Sequence, residues 1–275
     1  MKTRTLTRLR VGRIRYLNTL PFYYGLNQAE WTLGTPAEIN RKMHAGEIDI
    51  APISSLEYLN HQKDYLVFPE LCIGSRDFSG SVLLLSKERV EGLDRAVISL
   101  SKDSLSAAAL LKILLKFKFG FQNQFRTDPS NPETMLRTAP ACLVIGDEAL
   151  FFRPKEFLYK NDLSEIWWHW TSLPFCFSVW AVRRDFYGEH KEEVADFYRQ
   201  LKAALKRNLG DLEKLLREEI RVTITDERFP TIYGYLFNLS YGLDAEMQRG
   251  LGRFFEYAHQ MGISPASDEL EFIKA

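Results

Sequence analysis

One local pattern recurs along this chain and restricts what it can fold into. A short apolar run, typical of a strand, ends at small polar residues, and a helical segment follows directly. Such runs begin near Val11, Ile48, Ala96 and Ala141. Strands that alternate with helices favour parallel sheets with helices packed against them. The pattern therefore predicts an α/β fold.

The small polar residues that end these runs are candidates for binding a ligand. Ligands of open α/β sheets lie at the carboxyl ends of the strands. Ser104 and Ser106 also begin a predicted helix from about Ser104 to Phe117, and helix N-termini favour anions. Because the same residue types cap helices, structural capping is the alternative interpretation. The candidates at these turns are Asn18, Thr19, Ser54, Ser55, Ser104, Ser106, Gly146 and Asp147.

The order of the segments predicts two lobes. The middle block, about Asp94–Thr171, has its own βαβαβ pattern, and strand-like runs at Ser81–Ser86 and Phe177–Arg183 bracket it. We expect lobe 1 to comprise residues 1–86 and 183–275, with lobe 2, residues 87–182, inserted and joined by two crossover strands. A cleft between two lobes is a favoured place for a ligand and permits hinge closure.

Composition excludes several classes of protein. Lys and Arg total 36, as do Asp and Glu, so the net charge is zero and bulk attraction to nucleic acid is absent. The three cysteines have no metal-ligand or disulfide spacing, which predicts a reducing compartment and no metal site. No secretory signal and no apolar run of about 20 residues is present. We therefore expect a cytoplasmic protein without membrane or nucleic-acid partners.

Five collinear segments of the chain carry a family resemblance: Gly12–Tyr24, Gly46–Tyr58, Ile145–Leu150, Leu173–Val182 and matched positions from Tyr233 to Ala258. Together they resemble the chorismate dehydratases, which catalyse the first step of the futalosine route to menaquinone. The resemblance implies the type II periplasmic-binding-protein fold, in agreement with the two predicted lobes. It also implies that Ser81 and Phe175 contact the substrate. At one position the chain departs from the family, because Ala107 stands where a serine is usual.

The resemblance also implies a chemistry. Chorismate carries two carboxylates, and its loss of water gives the aromatic 3-enolpyruvylbenzoate. Since aromatisation drives the reaction, no cofactor is expected. None of the five histidines lies in the similar segments. We therefore predict that the enolpyruvyl carboxylate of the substrate takes the proton while Asn18, the predicted catalytic residue, orients the ring; a protein base at Glu57 or Asp147 is the alternative.

Two other functions fit the same fold. One is a non-catalytic protein that binds a small anion. The other is the sister enzyme, 1,4-dihydroxy-6-naphthoate synthase, whose cysteine-containing first-strand motif is absent from this sequence. Turnover of chorismate alone separates the three hypotheses.

Overall fold

The computed structural model describes residues 9–26, 29–220 and 226–274, and the chain forms two five-stranded sheets. The strands are β1 (Arg10–Ile14), β2 (Glu30–Gly34), β3 (Ile50–Ser54), β4 (Tyr65–Ser75), β5 (Val82–Ser86), β6 (Val97–Ser101), β7 (Gln124–Asp128), β8 (Ala141–Ile145), β9 (Tyr159–Asp162) and β10 (Phe175–Arg183). The first sheet has the order β2-β1-β3-β10-β4, and the second has the order β7-β6-β8-β5-β9. In each sheet four strands point in one direction, and β10 or β5 runs antiparallel to both of its neighbours. The predicted α/β class is confirmed.

Helices follow most of the parallel strands, as the recurring pattern predicts. Thr35 and Glu38 form a reciprocal capping box at the start of α2, and Pro36 is its first residue. The helices are α1 (Leu20–Tyr23), α2 (Pro36–His44), α3 (Ser55–Asn60), α4 (Ser106–Ile113), α5 (Pro132–Thr138), α6 (Gly146–Phe151), α7 (Leu163–Thr171), α8 (Arg184–Glu189), α9 (Lys191–Gly210), α10 (Leu212–Ile220), α11 (Phe229–Asn238) and α12 (Ala245–Gln260). Single 3-10 turns occupy Leu17–Thr19, Val90–Gly92 and Asp226–Arg228.

The helix predicted from Ser104 to Phe117 is not uniform. Its α-helical part is α4, and a π-helical turn, Leu114–Lys118, continues it. Leu114 and Leu115, the first two residues of this wider turn, are buried. Sequence periodicity alone does not distinguish the two helix types.

Strand β4 passes through Pro69 without ending. It lies at the edge of its sheet, where a missing backbone N–H is tolerated. Its pairing with β10 shifts register near Pro69, and Glu70 adopts a positive φ of 62°. A β-bulge therefore accommodates the proline.

The two strands that bracket the middle block lie in sheets opposite to those expected from the predicted boundaries. Val82–Ser86 pairs with β8 and β9 in the second sheet. Phe175–Arg183 pairs with β3 and β4 in the first sheet. Residues 76–81 and 172–174 connect the sheets, and we propose lobe boundaries there rather than at residues 86 and 183.

One hydrophobic cluster contains buried residues from both sheets. Ile53 of β3, Leu84 of β5, Leu110 of α4 and Phe254 of α12 all belong to it. The two lobes are therefore packed together. Within the described ranges, no helix is long and apolar enough to cross a membrane.

Candidate functional site

A cavity lies between the two sheets. It is bounded by the carboxyl ends of β1 and β3 from the first sheet and of β6 and β8 from the second. Open α/β proteins bind ligands at this edge. The lining residues are Ile14, Tyr16, Asn18, Pro36, Ser54, Ile73, Ser81, Val82, Asp103, Ser104, Leu105, Ser106, Ala107, Ile145, Gly146, Phe177, Ser178 and Leu239.

The structure brings six of the ten predicted site residues together around this cavity. They come from four separate turns and from the segment that enters β5. Convergence of distant turns is what the recurring strand–turn–helix pattern predicts. The six residues are Asn18, Ser54, Ser81, Ser104, Ser106 and Gly146.

Thr19 and Ser55 do not line the cavity, and both side chains serve the fold. The Thr19 hydroxyl donates to the carbonyls of Ile14 and Tyr16, at 2.8 and 2.9 Å. The Ser55 hydroxyl donates to the carbonyl of Cys176 at 2.7 Å. Both residues are buried, and the hydrogen of each hydroxyl is donated to a backbone carbonyl, so neither hydroxyl is available as a donor to a ligand.

Phe175 also lies outside the cavity. Its ring is buried against Trp167 and Phe254, with centroid distances of 5.6 and 5.0 Å. The lining aromatic side chain is instead Phe177, two residues further along the same strand. The pairing of β10 with β4 shifts register between Cys176 and Ser178, so Phe177 lies at an irregularity where a simple alternation of faces does not predict the side chain's position.

Two lining residues have buried polar atoms without a hydrogen-bond partner among the described residues. These atoms are the amide oxygen Oδ1 of Asn18 and the hydroxyl oxygen Oγ of Ser104. A buried polar atom without a partner costs about 1–3 kcal/mol. Both residues line the same cavity, so a polar ligand there is the natural partner for Ser104 Oγ, while Asn18 Oδ1 also has the neighbouring Tyr235 hydroxyl as a donor.

Ser54 offers a hydrogen-bond donor to the cavity because its acceptor sites are already used. Its Oγ accepts from Asn40 Nδ2 at 2.9 Å and from the backbone N–H of Glu57 at 3.3 Å. The second bond caps α3. A hydroxyl has two lone pairs and one hydrogen, so the hydrogen remains for a ligand.

Ser106 begins α4 and links the lobes. Its Oγ accepts from the backbone N–H of Leu56 at 3.0 Å, and its own hydrogen again remains. The N-cap residue of α4, Leu105, has no side-chain capping bond, and the first helical residues, Ser106 and Ala107, line the cavity. Uncapped N–H groups and the helix dipole favour an anion at this position.

Tyr235 of α11 lies beside this group and was not predicted as a site residue. Its hydroxyl is buried and forms no hydrogen bond of ordinary geometry within the described residues. Burial raises the pKa of Tyr235, while the neighbouring Ser81 and Asn18 act in the opposite direction. The phenol therefore stays neutral and is a further donor close to Asn18.

Asp147 connects the lobes next to the cavity instead of lining it. Its Oδ1 accepts from the backbone N–H of Leu17 at 3.1 Å. Burial raises the pKa of Asp147 to about 6, Leu17 lowers it, and Glu148 raises it further. The preceding Gly146 has a φ of +64°, and the ring of Tyr16 packs against its Cα.

Asp103 is the only carboxylate among the lining residues, which include no Lys, Arg, His or Cys. Its Oδ2 accepts from the Ser130 hydroxyl at 2.9 Å. Neutral hydroxyls, amides and backbone N–H groups therefore supply the polar contacts of the described cavity wall. This donor set is poor for a metal ion, because it contains one carboxylate and no imidazole or thiolate.

Sequence reasoning missed Tyr16, Asp103, Ser178 and Tyr235. Tyr16 and Asp103 lie within two residues of predicted site residues, so proximity to Asn18 and Ser104 was an available signal. Tyr235 gave no signal, because a tyrosine at a buried helix position is usually a core residue.

Glu57, an alternative base in the sequence analysis, does not line the cavity. Its Oε1 accepts from Tyr65 Oη at 3.2 Å.

Comparison with known proteins agrees with this architecture. A family model described as menaquinone biosynthesis matches residues 9–260. A chorismate dehydratase from Thermus thermophilus is 28% identical over 264 residues, which span 90% of this chain and 93% of the relative.

Similar solved structures establish the fold. Protein AF1704 from Archaeoglobus fulgidus has a TM-score of 0.75 at 16% identity, covering 93% of this chain and 98% of its own. The periplasmic aliphatic sulphonate-binding protein SsuA of Escherichia coli has a TM-score of 0.66 at 12% identity, covering 98% and 94%. The Candida albicans CA3427 product, described as having the generic periplasmic-binding-protein fold, has a TM-score of 0.64 at 11% identity, covering 98% of each chain. The predicted periplasmic-binding-protein-like fold is confirmed.

Proposed function

The chain belongs to the menaquinone biosynthesis family, and on that premise we propose that it is a chorismate dehydratase, a carbon–oxygen lyase. The proposed reaction converts chorismate to 3-enolpyruvylbenzoate and water. The similarity to the Thermus thermophilus chorismate dehydratase supports this substrate. A cytoplasmic location stays a prediction.

The observation that carries the proposal is the set of unused polar atoms on the cavity wall. Asn18 Oδ1 and Ser104 Oγ have no partner among the described residues, and the hydroxyl hydrogens of Ser54 and Ser106 are available. Chorismate presents two carboxylates and a ring hydroxyl. Carboxylates accept from the hydroxyls and from the α4 N–H groups, and the Asn18 carbonyl accepts from the ring hydroxyl.

Elimination of water needs a base and a leaving group in a fixed arrangement. The C–H bond at the ether-bearing carbon breaks, its electron pair forms the new ring double bond, and the C–O bond at the hydroxyl-bearing carbon breaks. The proton first passes to the enolpyruvyl carboxylate and then joins the departing hydroxide to form water. In this scheme Asn18 holds the substrate in the reactive geometry, which is a positional contribution.

Asp103 provides a different route, since its carboxylate lines the cavity. A protein base must come within hydrogen-bond reach of the proton that it removes. Ser130 already binds one oxygen of Asp103, which fixes the carboxylate and favours a positioning role over proton transfer. Asp103 thus replaces Glu57 and Asp147 as the protein base against which the substrate-carboxylate hypothesis is tested.

The proposed function is tested by incubating the purified protein with chorismate alone and identifying the products by mass spectrometry. We expect a product lighter than chorismate by one water, with the aromatic absorbance of 3-enolpyruvylbenzoate. Saturable binding of chorismate without turnover would support the non-catalytic binding protein and contradict the proposal. Absence of both binding and turnover would also contradict it and would direct attention to the sister synthase.

A further inference from the structure

A cluster of two histidines and one aspartate lies outside the cavity, on the surface of the first lobe. His44 is the last residue of α2, His61 follows the last residue of α3, and Asp64 lies three residues later. One potential ligand atom from each of the three lies within 4.8 Å of the others. The spacing in the sequence does not reveal this cluster, because packing of α2 beside α3 creates it.

Backbone hydrogen bonds fix where these side chains start. The N–H of His61 donates to the carbonyls of Glu57 and Tyr58, and the N–H of Asp64 donates to the carbonyl of His61 at 2.8 Å. His61 and Asp64 therefore sit on one closed turn. The rings of His44 and His61 overlap in a tilted stack, with centroids 4.0 Å apart and planes inclined by 37°.

The donor atoms match a first-row transition-metal ion. Nδ1 of His61 lies 3.8 Å from Asp64 Oδ2, and its Nε2 lies 3.8 Å from Glu57 Oε1. A buried carboxylate on the second ring nitrogen is the usual device that orients a metal-bound imidazole. Tetrahedral Zn²⁺ needs ligand atoms about 3.3 Å apart, so the exposed His44 and Asp64 side chains must move closer than the present separations of up to 4.8 Å to hold it.

The surrounding charges also permit a cation. Both α2 and α3 direct their C-terminal ends, which carry partial negative charge, towards the cluster. The nearby Arg183 pairs with Asp185, and Arg184 pairs with Glu271. These two guanidinium groups are therefore paired with carboxylates, and Lys63 is a further cation that lines the same groove. The groove is open and leaves room for water on the ion.

We propose that His44, His61 and Asp64 form a binding site for Zn²⁺ or a similar divalent transition-metal ion. Imidazole nitrogens select such ions over Mg²⁺ and Ca²⁺, which prefer oxygen ligands. The ion joins the far ends of two helices whose beginnings, at Pro36 and Ser54, reach the cavity. It is structural or regulatory, and this site does not depend on the function proposed for the cavity.

The test is calorimetric titration of the untagged full-length protein with Zn²⁺, with Mg²⁺ as the competing class of ion. We expect one equivalent of Zn²⁺ to bind, no binding of Mg²⁺ at this site, and a higher melting temperature with Zn²⁺. His44→Gln and His61→Gln should each weaken the Zn²⁺ affinity by about tenfold or more, since each removes a direct ligand. The three cysteines are buried and do not compete for the ion.

The matched control is His169→Gln, which removes an exposed imidazole that lies 4.0 Å from a single carboxylate of Glu165. It should leave Zn²⁺ binding unchanged. The proposal is overturned if Zn²⁺ does not saturate one site, if His44→Gln binds as tightly as the wild type, or if the control loses binding equally. His44 is exposed, so His44→Gln should fold normally, and its Zn²⁺ affinity tests the proposal even if His61→Gln folds poorly.

Discussion

The backbone N–H of Leu17 donates to Oδ1 of Asp147, and this bond joins residues 130 positions apart across the lobe boundary. Leu17 directly precedes Asn18, and Asp147 directly follows Gly146, so the bond fixes two stretches of the cavity wall relative to each other. Burial raises the pKa of this carboxylate to about 6. The bond between the lobes therefore has a pH dependence that can be measured.

The free energy of unfolding of the wild type should fall as the pH rises from about 4 to 6, and Asp147→Asn should abolish this fall. The folded state keeps the Asp147 proton up to about pH 6, whereas the unfolded state loses it near 3.8. The folded protein thus binds more protons between these values, and its free energy of unfolding falls as pH rises through them, by at most about 3 kcal/mol. Asparagine stays neutral and can still accept from Leu17, so the variant should gain stability relative to wild type between pH 4 and 7.

Urea denaturation at a series of pH values measures this difference. The control is Glu269→Gln, which removes an exposed carboxylate near the end of the chain. Parallel curves for wild type and Asp147→Asn would show that Asp147 does not titrate in this window.

Gly146→Ala should destabilise the protein through two separate effects. Its φ of +64° is unfavourable for a residue with a Cβ, and that Cβ would lie 2.8 Å from ring carbons of Tyr16. Gly120→Ala is the matched control, because Gly120 has a φ of +75° and nothing within 4 Å of the added atom. We expect Gly146→Ala to lose at least about 1 kcal/mol more than the control in urea denaturation. Equal losses would mean that Tyr16 moves aside freely.

Ala107→Ser should tighten substrate binding. Ala107 lines the cavity at the start of α4, and the resemblance described above implies a serine at this position. A new hydroxyl donor facing a carboxylate contributes about 0.5–1.5 kcal/mol, or about 2- to 10-fold in the dissociation constant of chorismate. Ala108→Ser, on the same helix but outside the cavity wall, should have no such effect. Equal affinities for all three proteins would place the substrate away from α4.

Asp103→Asn should keep turnover within about tenfold of wild type if the substrate supplies its own base. The amide of asparagine preserves the shape of the side chain but cannot accept a proton. Steady-state kinetics with chorismate gives kcat, and equilibrium titration gives the binding constant separately. A loss of about 10³-fold in kcat with unchanged binding would identify Asp103 as the base.

Local signals predicted the fold well because each strand–turn–helix unit is specified by neighbouring residues. The turns that contain Asn18, Ser54, Ser104 and Gly146 were located from Pro, Gly and small polar residues, and the sheets bring them together. Val82–Ser86 pairs in the second sheet, whereas the predicted boundaries assign it to lobe 1, because a continuous apolar strand does not specify which sheet will accept it.

The chemistry of individual side chains was harder to predict. Thr19 and Ser55 are small and polar like the lining residues, yet each donates to a backbone carbonyl that only the folded chain presents. Tyr235 shows the converse case. As an aromatic helix residue it is expected in the core, and the sequence gives no sign that its hydroxyl lacks a hydrogen-bond partner. Sequence patterns locate turns, but the geometry of the fold decides which hydroxyls remain available.

The most direct test of the proposed site compares wild type with Asn18→Ala for conversion of chorismate to 3-enolpyruvylbenzoate, with binding measured in parallel. We predict turnover by wild type with no added cofactor, and a fall in kcat of about 100-fold or more for the variant. Its dissociation constant should rise by less than about tenfold, because the serine hydroxyls still bind the carboxylates. Unchanged kcat in Asn18→Ala, or no product from wild type, would contradict the account.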